Sequence, residues 1–318
     1  MAAPTNSIAE AHHYIPKFYL KGFTDNKELW VYEKGALPRK SKPKLEAHRE
    51  NYYTYVDKGY PDNSIERMLS KSESVVAPLF RKLANSQFKM SQEQRGELFA
   101  FVALTFVRVP VYREYLDNVL ATLMKKYNRY HAKNAEEFYA HCKTVESQTG
   151  INIGNYEEMR QFFLKGDYDP TQLSAGYNMS VAFESCEKVM DILLREYSYD
   201  IWYAPGEKFF MTCDNPIVTI RPMPDGKAFM GMGFGWKDTE VLLPLNKRAC
   251  LIMSRHGTEE REVATDRRTD QINNMIMHCA QKYLYAPKGF KRISRLFDER
   301  GCKQKYGENA FMSRFLRA

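Results

Sequence analysis

Polar side chains that can carry acid–base or metal chemistry stand where the sequence is otherwise apolar. Two adjacent histidines, His12 and His13, open the run AHHYIPKFYLKGF. Adjacent residues point in different directions on a strand or helix, so we expect one imidazole to face a site while the other packs or caps. Imidazole suits general acid–base catalysis and metal ligation near neutral pH. The alternative is a structural role, in which both rings anchor the N-terminal segment by hydrogen bonds.

Arg108 is the most informative single residue, because it lies within the apolar run FAFVALTFVRVPV. A helix that is apolar on all sides is normally buried, and a buried guanidinium is costly without an acceptor. We therefore expect Arg108 to meet a carboxylate. The candidates are Glu66, Glu73 and Asp214. Such a pair is either purely structural or part of a site where the arginine clamps an anionic group such as phosphate.

Glu66 and Glu73 are seven residues apart in a predicted helix. Seven steps at 3.6 residues per turn return to within about 20° of the same direction, so both carboxylates share one helix face. They flank an apolar stripe, which predicts partial burial. The alternative is two solvated acids at the edge of an amphipathic helix.

The segment FFMTCDNPIVTI places Asp214 and Asn215 directly after an apolar strand. This arrangement makes a fixed polar corner, where an aspartate could bind a metal, orient a histidine or act as a base. It is equally typical of an Asx-turn between two strands. Cys213 is a weak candidate nucleophile, because no neighbouring feature lowers its pKa.

A helix predicted over residues 265–281 carries Asp270, Asn274 and His278 at four-residue spacing. The three form one polar stripe beside an apolar one. The stripe is either a solvated face or a group that reaches a ligand or a metal.

Composition excludes several classes of protein. The chain has 318 residues, 44% of them hydrophobic, and 47 Lys and Arg against 39 Asp and Glu give a net charge of +8. That mixture is globular. A membrane span needs roughly 20 apolar residues, and the longest apolar stretch is residues 98–107, so we expect no membrane association. With no signal peptide visible and no CxxC motif among six cysteines, we expect a cytoplasmic protein without a zinc finger.

Other short signals are weaker. GMGFG at residues 231–235 is not followed by the helix that a phosphate loop requires, so we read it as a hairpin. Two basic clusters indicate either solvated helix surfaces or a stripe for nucleic-acid phosphates. They comprise Lys125, Lys126, Arg129, His131 and Lys133, and Lys288, Lys291, Arg292 and Arg295.

The order of elements predicts an α+β fold. Runs LWVYEK at 29–34 and NYYTYV at 51–56 read as paired strands, a helical middle follows, and five short β-type runs begin near residue 199. We expect the helical middle to pack with an antiparallel sheet built from the N-terminal strands and the C-terminal third. The predicted organisation is one domain over 1–318, with a helical subdomain at about 62–197 and a β-rich part at 1–60 plus 198–318. The apolar N-terminal segment should pack against the C-terminal sheet.

AHHYIPKFYLKGF, LWVYEK, SIERMLSKSES, FVALTFVRVPVYR, FMTCDNPIV and NNMIMHCAQKYLYA together resemble the microbial family called domain of unknown function 4238. The resemblance covers nearly the full chain and implies one family domain. It supplies a set of polar positions and no reaction. Those positions are His12, His13, Glu66, Glu73, Arg108, Asp214, Asn215 and Asn274.

Polar residues from distant segments that converge on one cavity are typical of an active or binding site. The leading hypothesis is a hydrolase-like enzyme, metal-assisted or not, acting on a phosphate-containing or nucleic-acid substrate. Its catalytic residues would be His12, His13, Glu73, Arg108 and Asp214. Its substrate-binding residues would be Glu66, Asn215, Asn274 and His278. The alternative is a non-catalytic binding or interaction module in which these groups form a buried structural network.

Overall fold

The computed structural model describes residues 11–57, 60–170, 175–222, 228–231 and 233–300, and it shows an α+β protein. The helices are α1 (Lys17–Lys21), α2 (Ser64–Lys82), α3 (Gln92–Arg108), α4 (Pro110–His131), α5 (Ala135–Thr149), α6 (Tyr156–Lys165), α7 (Ala175–Glu196), α8 (Asp266–Cys279) and α9 (Lys291–Arg300). The strands are β1 (Ala11–His13), β2 (Leu29–Glu33), β3 (Arg39–Ser41), β4 (His48–Glu50), β5 (Tyr55–Asp57), β6 (Tyr60–Asp62), β7 (Ser198–Tyr203), β8 (Thr212–Cys213), β9 (Val218–Pro222), β10 (Ala228–Met230), β11 (Glu240–Pro244), β12 (Ala249–Ser254), β13 (Arg261–Val263) and β14 (Tyr283–Ala286).

A four-stranded antiparallel sheet joins the two ends of the chain, in the order β3-β2-β14-β8. Leu29 and Val31 of β2 are buried, in keeping with the alternation that predicted this strand. This pairing confirms the prediction that strands from the N-terminal region and from the C-terminal third lie in one antiparallel sheet.

A six-stranded sheet has the order β10-β9-β11-β12-β7-β13 and comes from the C-terminal third alone. Its pairs are antiparallel except for β13, which runs parallel to β7. The C-terminal strands are therefore divided between two sheets, because β14 pairs with the N-terminal β2 and with β8, while the strands of the six-stranded sheet pair with one another. Ile272 and Ile276 of α8 belong to a buried cluster with residues of β9, β11 and β12.

The chain divides into two compact units. The first comprises Met1–Tyr112 and Val181–Ala318, and therefore contains the four-stranded and six-stranded sheets together with α2 and α3. The second, Arg113–Ser180, has a small core formed by Ala132, Phe138 and Cys142. Among the described helices, none is both long and apolar enough to cross a membrane.

The N-terminal segment packs against the C-terminal sheets, as predicted. Tyr19 on α1 is 1% exposed, and its hydroxyl donates to the Pro244 carbonyl oxygen over 2.7 Å. The same hydroxyl lies 2.8 Å from Thr212 Oγ1 of β8. The backbone N–H of Lys247 donates to the Gly22 carbonyl oxygen. The start of the described chain is thus fixed by buried hydrogen bonds as well as by apolar contacts.

A short two-stranded sheet, β1 with β4, places His13 opposite His48. The strand predicted over 51–56 is wrong, because residues 51–53 form a turn and β5 covers only Tyr55–Asp57. Asn51 has φ 51°, a left-handed conformation that Asn tolerates better than most residues and that ends β4. The turn positions Tyr53, which is 2% exposed.

Candidate functional site

The guanidinium of Arg108 connects three separate segments of the chain. Its Nη1 donates to Glu73 Oε1 over 2.8 Å, its Nε to the Tyr53 hydroxyl over 3.2 Å, and its Nη2 to the His13 carbonyl oxygen over 2.5 Å. The arginine side chain is 5% exposed and that of Glu73 is 23% exposed. The predicted buried ion pair is therefore present, and Glu73 is the acid.

Local sequence explains why Arg108 can reach these partners. It is the last residue of α3, which begins with a capping box at Ser91. Pro110 then opens α4, so the helix breaks at Val109 and Arg108 lies at a helix end. Glu73 lies in the middle of α2, which packs against α3. Burial disfavours the charged guanidinium, but the charges of and hydrogen bonds to Tyr53 and Glu73 outweigh it and raise the pKa of Arg108, so it stays charged.

His12 is held by the turn that follows β4. The backbone N–H of Tyr53 donates to His12 Nδ1 over 3.0 Å, so the neutral ring carries its proton on Nε2. The imidazole also stacks on the Tyr53 ring, with centroids 5.8 Å apart and planes 14° apart. His12 is 1% exposed and thus belongs to the same buried network as Arg108.

Glu66 lies half-buried on α2. It is on the same helix face as Glu73, as their seven-residue spacing predicted. Burial raises the pKa of Glu66, and the nearby charge of Glu73 adds to the effect, while His12 and Arg108 oppose it. Its Oε2 is buried and has no hydrogen-bond partner among the described residues. The carboxyl is therefore readier to bind a proton than an ordinary glutamate.

His13 faces His48 across the β1–β4 pair, with ring centroids 5.3 Å apart in an edge-to-face arrangement. Burial, then His48 and Lys17, lower the pKa of His13 to about 4, against opposing backbone contributions from Lys44 and Ala11. His13 Nε2 and His48 Nδ1 are buried without a hydrogen-bond partner in the described part of the chain. The ring of His13 is thus neutral at physiological pH.

Two residues of this network were not singled out from the sequence. The sequence predicts a strand at Tyr53, whereas the structure places it in a turn that begins at Asn51, whose φ is positive. His48 lies in β4, and no periodic pattern distinguished it. Thr105, three residues before Arg108, is 1% exposed, and its Oγ1 has no partner among the described residues.

Asp214 belongs to a different hydrogen-bond network. Its Oδ1 accepts from the backbone N–H of Gln281 over 2.8 Å, and its Oδ2 from those of Lys282 and Tyr283 over 2.7 and 3.1 Å. Burial raises its pKa to about 6, and the three N–H donors act in the opposite direction. Asp214 is therefore not the partner of Arg108; it fastens the turn that leads into β14.

Asn215 and the polar stripe of α8 also bond within the C-terminal part. Asn215 Nδ2 donates to the Cys279 carbonyl oxygen over 3.3 Å, and its Oδ1 has no partner among the described residues. His278 Nδ1 lies 2.7 Å from the Asn274 carbonyl oxygen, one turn earlier on its own helix. Among the described residues, the hydrogen bonds of Arg108 go to Glu73, Tyr53 and His13 and to none of these C-terminal residues, whose predicted substrate-binding roles stay predictions.

A cavity of about 210 Å³ lies between α2 and α3. Its apolar lining consists of Leu69, Val75, Val76, Ala100, Phe101 and Leu104. Glu73 and Arg108 line it as well, and so does Glu97, which has no hydrogen bond or salt bridge to any described residue. The ion pair is thus shared between the histidine network and the cavity.

Over the described ranges, no group of three or more His, Cys, Asp or Glu side chains is placed to hold a metal ion. The divalent metal that the sequence suggested therefore has no ligand cluster in this part of the chain.

The pKa of His13 predicts a pH dependence of stability. The unfolded chain binds a proton at this residue near pH 6.5 and the folded chain only near pH 4, so folding free energy is lost as pH falls between these values. The raised pKa of Asp214 acts in the opposite direction below pH 6, so the wild-type curve alone is ambiguous. We therefore expect wild type to lose on the order of 1–3 kcal/mol relative to His13→Gln between pH 7 and pH 4.5.

Urea unfolding of both proteins across this pH range measures the difference. His256→Gln, at an exposed histidine, is the matched control and should follow wild type. A constant gap between wild type and His13→Gln across the range would contradict the assignment.

The family model for proteins of unknown function DUF4238 matches residues 11–289, and the chain belongs to that family. No curated protein and no solved structure matches the chain.

Proposed function

For this member of the DUF4238 family, we propose a non-catalytic binding function, with a small ligand held in the cavity between α2 and α3. The observation that carries the proposal is the pairing of Arg108: Glu73, Tyr53 and the His13 carbonyl oxygen all accept from it while it is 5% exposed. An arginine engaged in this way supports a structural role for the polar network.

The network gives the cavity a fixed polar end. Breaking a buried pair by removing one partner typically costs 3–5 kcal/mol, so Glu73 and Arg108 are held together strongly. Because Arg108 also bonds to β1 and to the turn at Tyr53, these elements restrain its side chain. Because these side chains are already fixed before a ligand binds, the entropy cost of binding is lower.

The lining favours a ligand with an apolar body. Six lining residues are aliphatic or aromatic, which is usual for small-molecule sites. The charged lining residues are two carboxylates, Glu73 and Glu97, against the one guanidinium of Arg108. This balance argues against a ligand of net negative charge, such as a phosphate, in the cavity itself. For the setting we propose the cytoplasm, in keeping with five described cysteines that form no disulfide.

The proposal predicts that a bulky side chain placed in the cavity weakens ligand binding. N-phenyl-1-naphthylamine, a neutral apolar fluorophore, should bind wild type saturably with one site per chain. Ala100→Trp fills the cavity from α3 and should weaken binding at least about tenfold, a difference of 1.4 kcal/mol. Ala140→Trp, at an exposed position of α5, is the control and should bind as wild type does. Fluorescence titration checks this, and equal binding by all three proteins, or by none, would refute the proposed site.

A second candidate function is the hydrolase-like enzyme, and one observation favours it. Glu66 Oε2, His13 Nε2 and His48 Nδ1 are all buried without partners among the described residues. Such atoms cost about 1–3 kcal/mol each unless water or a ligand satisfies them. A raised pKa also brings Glu66 closer to the operating pH of a general acid.

If the protein is a hydrolase-like enzyme, exposed cations favour a phosphate-containing or nucleic-acid substrate. Lys291, Arg292 and Arg295 of α9 are exposed and have no salt bridge to any described residue. Exposed cations of this kind attract a polyanion over distances set by the salt concentration.

The enzyme hypothesis predicts that bis-(p-nitrophenyl) phosphate or a short oligonucleotide is hydrolysed, with or without Mg²⁺. Glu66→Gln should then reduce kcat at least about 100-fold, the contribution typical of general acid–base catalysis, without lowering the urea midpoint. Glu93→Gln, an exposed acid on α3, should keep full activity. Hydrolysis that persists in Glu66→Gln would show that Glu66 is not the catalytic acid or base. If wild type hydrolyses neither substrate, the enzyme hypothesis is contradicted and only the binding function is left.

A further inference from the structure

One side of the cavity is lined by one face of α3, and we refer to this cavity as the groove. The lining residues of this helix are Glu97, Ala100, Phe101, Leu104 and Arg108. Their spacing of three or four residues places them in one stripe. Glu97 and Arg108 are 11 residues apart, so they are separated by about 16 Å along the helix axis at 1.5 Å per residue. The groove therefore has two different ends and an apolar middle.

One end of the groove presents an unneutralised carboxylate. Glu97 is half-buried and forms no ion pair or hydrogen bond with any described residue. A partly desolvated carboxylate beside apolar surface gains from a cation, because a charge-assisted hydrogen bond is about twice as strong as a neutral one. An ammonium group is the cation that fits at the end of an apolar ligand.

The other end presents unused donors. A guanidinium has five N–H groups, and Arg108 donates three of them, to Glu73, Tyr53 and the His13 carbonyl oxygen. Two N–H groups are left without an acceptor among the described residues, on a side chain that is 5% exposed and lines the groove. Buried donors of this kind call for an acceptor from a ligand or water.

We propose that this groove binds a linear aliphatic molecule with an ammonium at one end, on Glu97, and a carboxylate or similar acceptor at the other, on Arg108. The inference rests on the proposed binding function and names its ligand class. The apolar middle, formed by Leu104, Phe101 and Val76 among others, takes the methylene chain.

Three probes of equal chain length separate the contributions of the two ends. 8-Aminooctanoate satisfies both ends, octanoate only Arg108, and octylamine only Glu97. Each probe is titrated by isothermal calorimetry and by displacement of N-phenyl-1-naphthylamine. We expect 8-aminooctanoate to bind at least about tenfold more tightly than either single-ended probe.

The variant Glu97→Gln tests the cationic end without disturbing the buried network. It should weaken 8-aminooctanoate and octylamine by about tenfold and leave octanoate unchanged or improved. Glu93→Gln, one turn earlier on α3 and outside the lining, is the matched control and should change none of the three affinities.

The outcomes distinguish this inference from the proposed function. Fluorophore binding that 8-aminooctanoate does not displace would overturn the inference and leave the binding function standing. Equal affinity for the three probes, or equal loss in the two glutamate variants, would also overturn it. Absence of binding by both fluorophore and probes would overturn both.

Discussion

A charged guanidinium within an apolar interior must have acceptors, and this requirement organises the first compact unit. Arg108 meets it with groups from β1, from the turn after β4 and from α2. These segments are far apart in the chain, so no local interaction would bring them together. Burial of the arginine thus couples the N-terminal strand to the helix pair, and the cost of leaving it unpaired specifies the arrangement.

The same requirement determines the electrostatics around the pair. Glu73 neutralises the arginine, and the adjacent Glu66 then faces a cost for carrying a second negative charge in a half-buried position, which raises its pKa. His13 supplies its carbonyl oxygen to Arg108, while burial keeps its own ring neutral. Acid–base groups and an apolar cavity therefore share one ion pair.

Sequence predicted the features that depend on local chemistry. The apolar run around Arg108 required an acid partner, and the seven-residue spacing of Glu66 and Glu73 placed both on the correct face. It could not choose between them, because the choice depends on how α2 and α3 align. The Asx-turn predicted as the alternative for Asp214 is wrong, because its carboxylate accepts from the backbone N–H groups of residues 281–283 and residue 216, two positions on, is a proline without an N–H. No local pattern in the sequence links Asp214 to these distant donors. Tyr53 was assigned to a strand because aromatic composition outweighed the turn at Asn51.

The central claim is that the Arg108–Glu73 pair is a buried interaction on which the fold depends, and a double-mutant cycle tests it most directly. Urea unfolding of Arg108→Met, Glu73→Leu and the double variant gives the coupling energy. Each single change should cost about 3–5 kcal/mol, because it strands a charge or its acceptors. The double variant should be more stable than the sum of the two predicts, by about 2–3 kcal/mol. Additive costs within about 0.5 kcal/mol would show that the two side chains do not depend on each other, and would contradict the account.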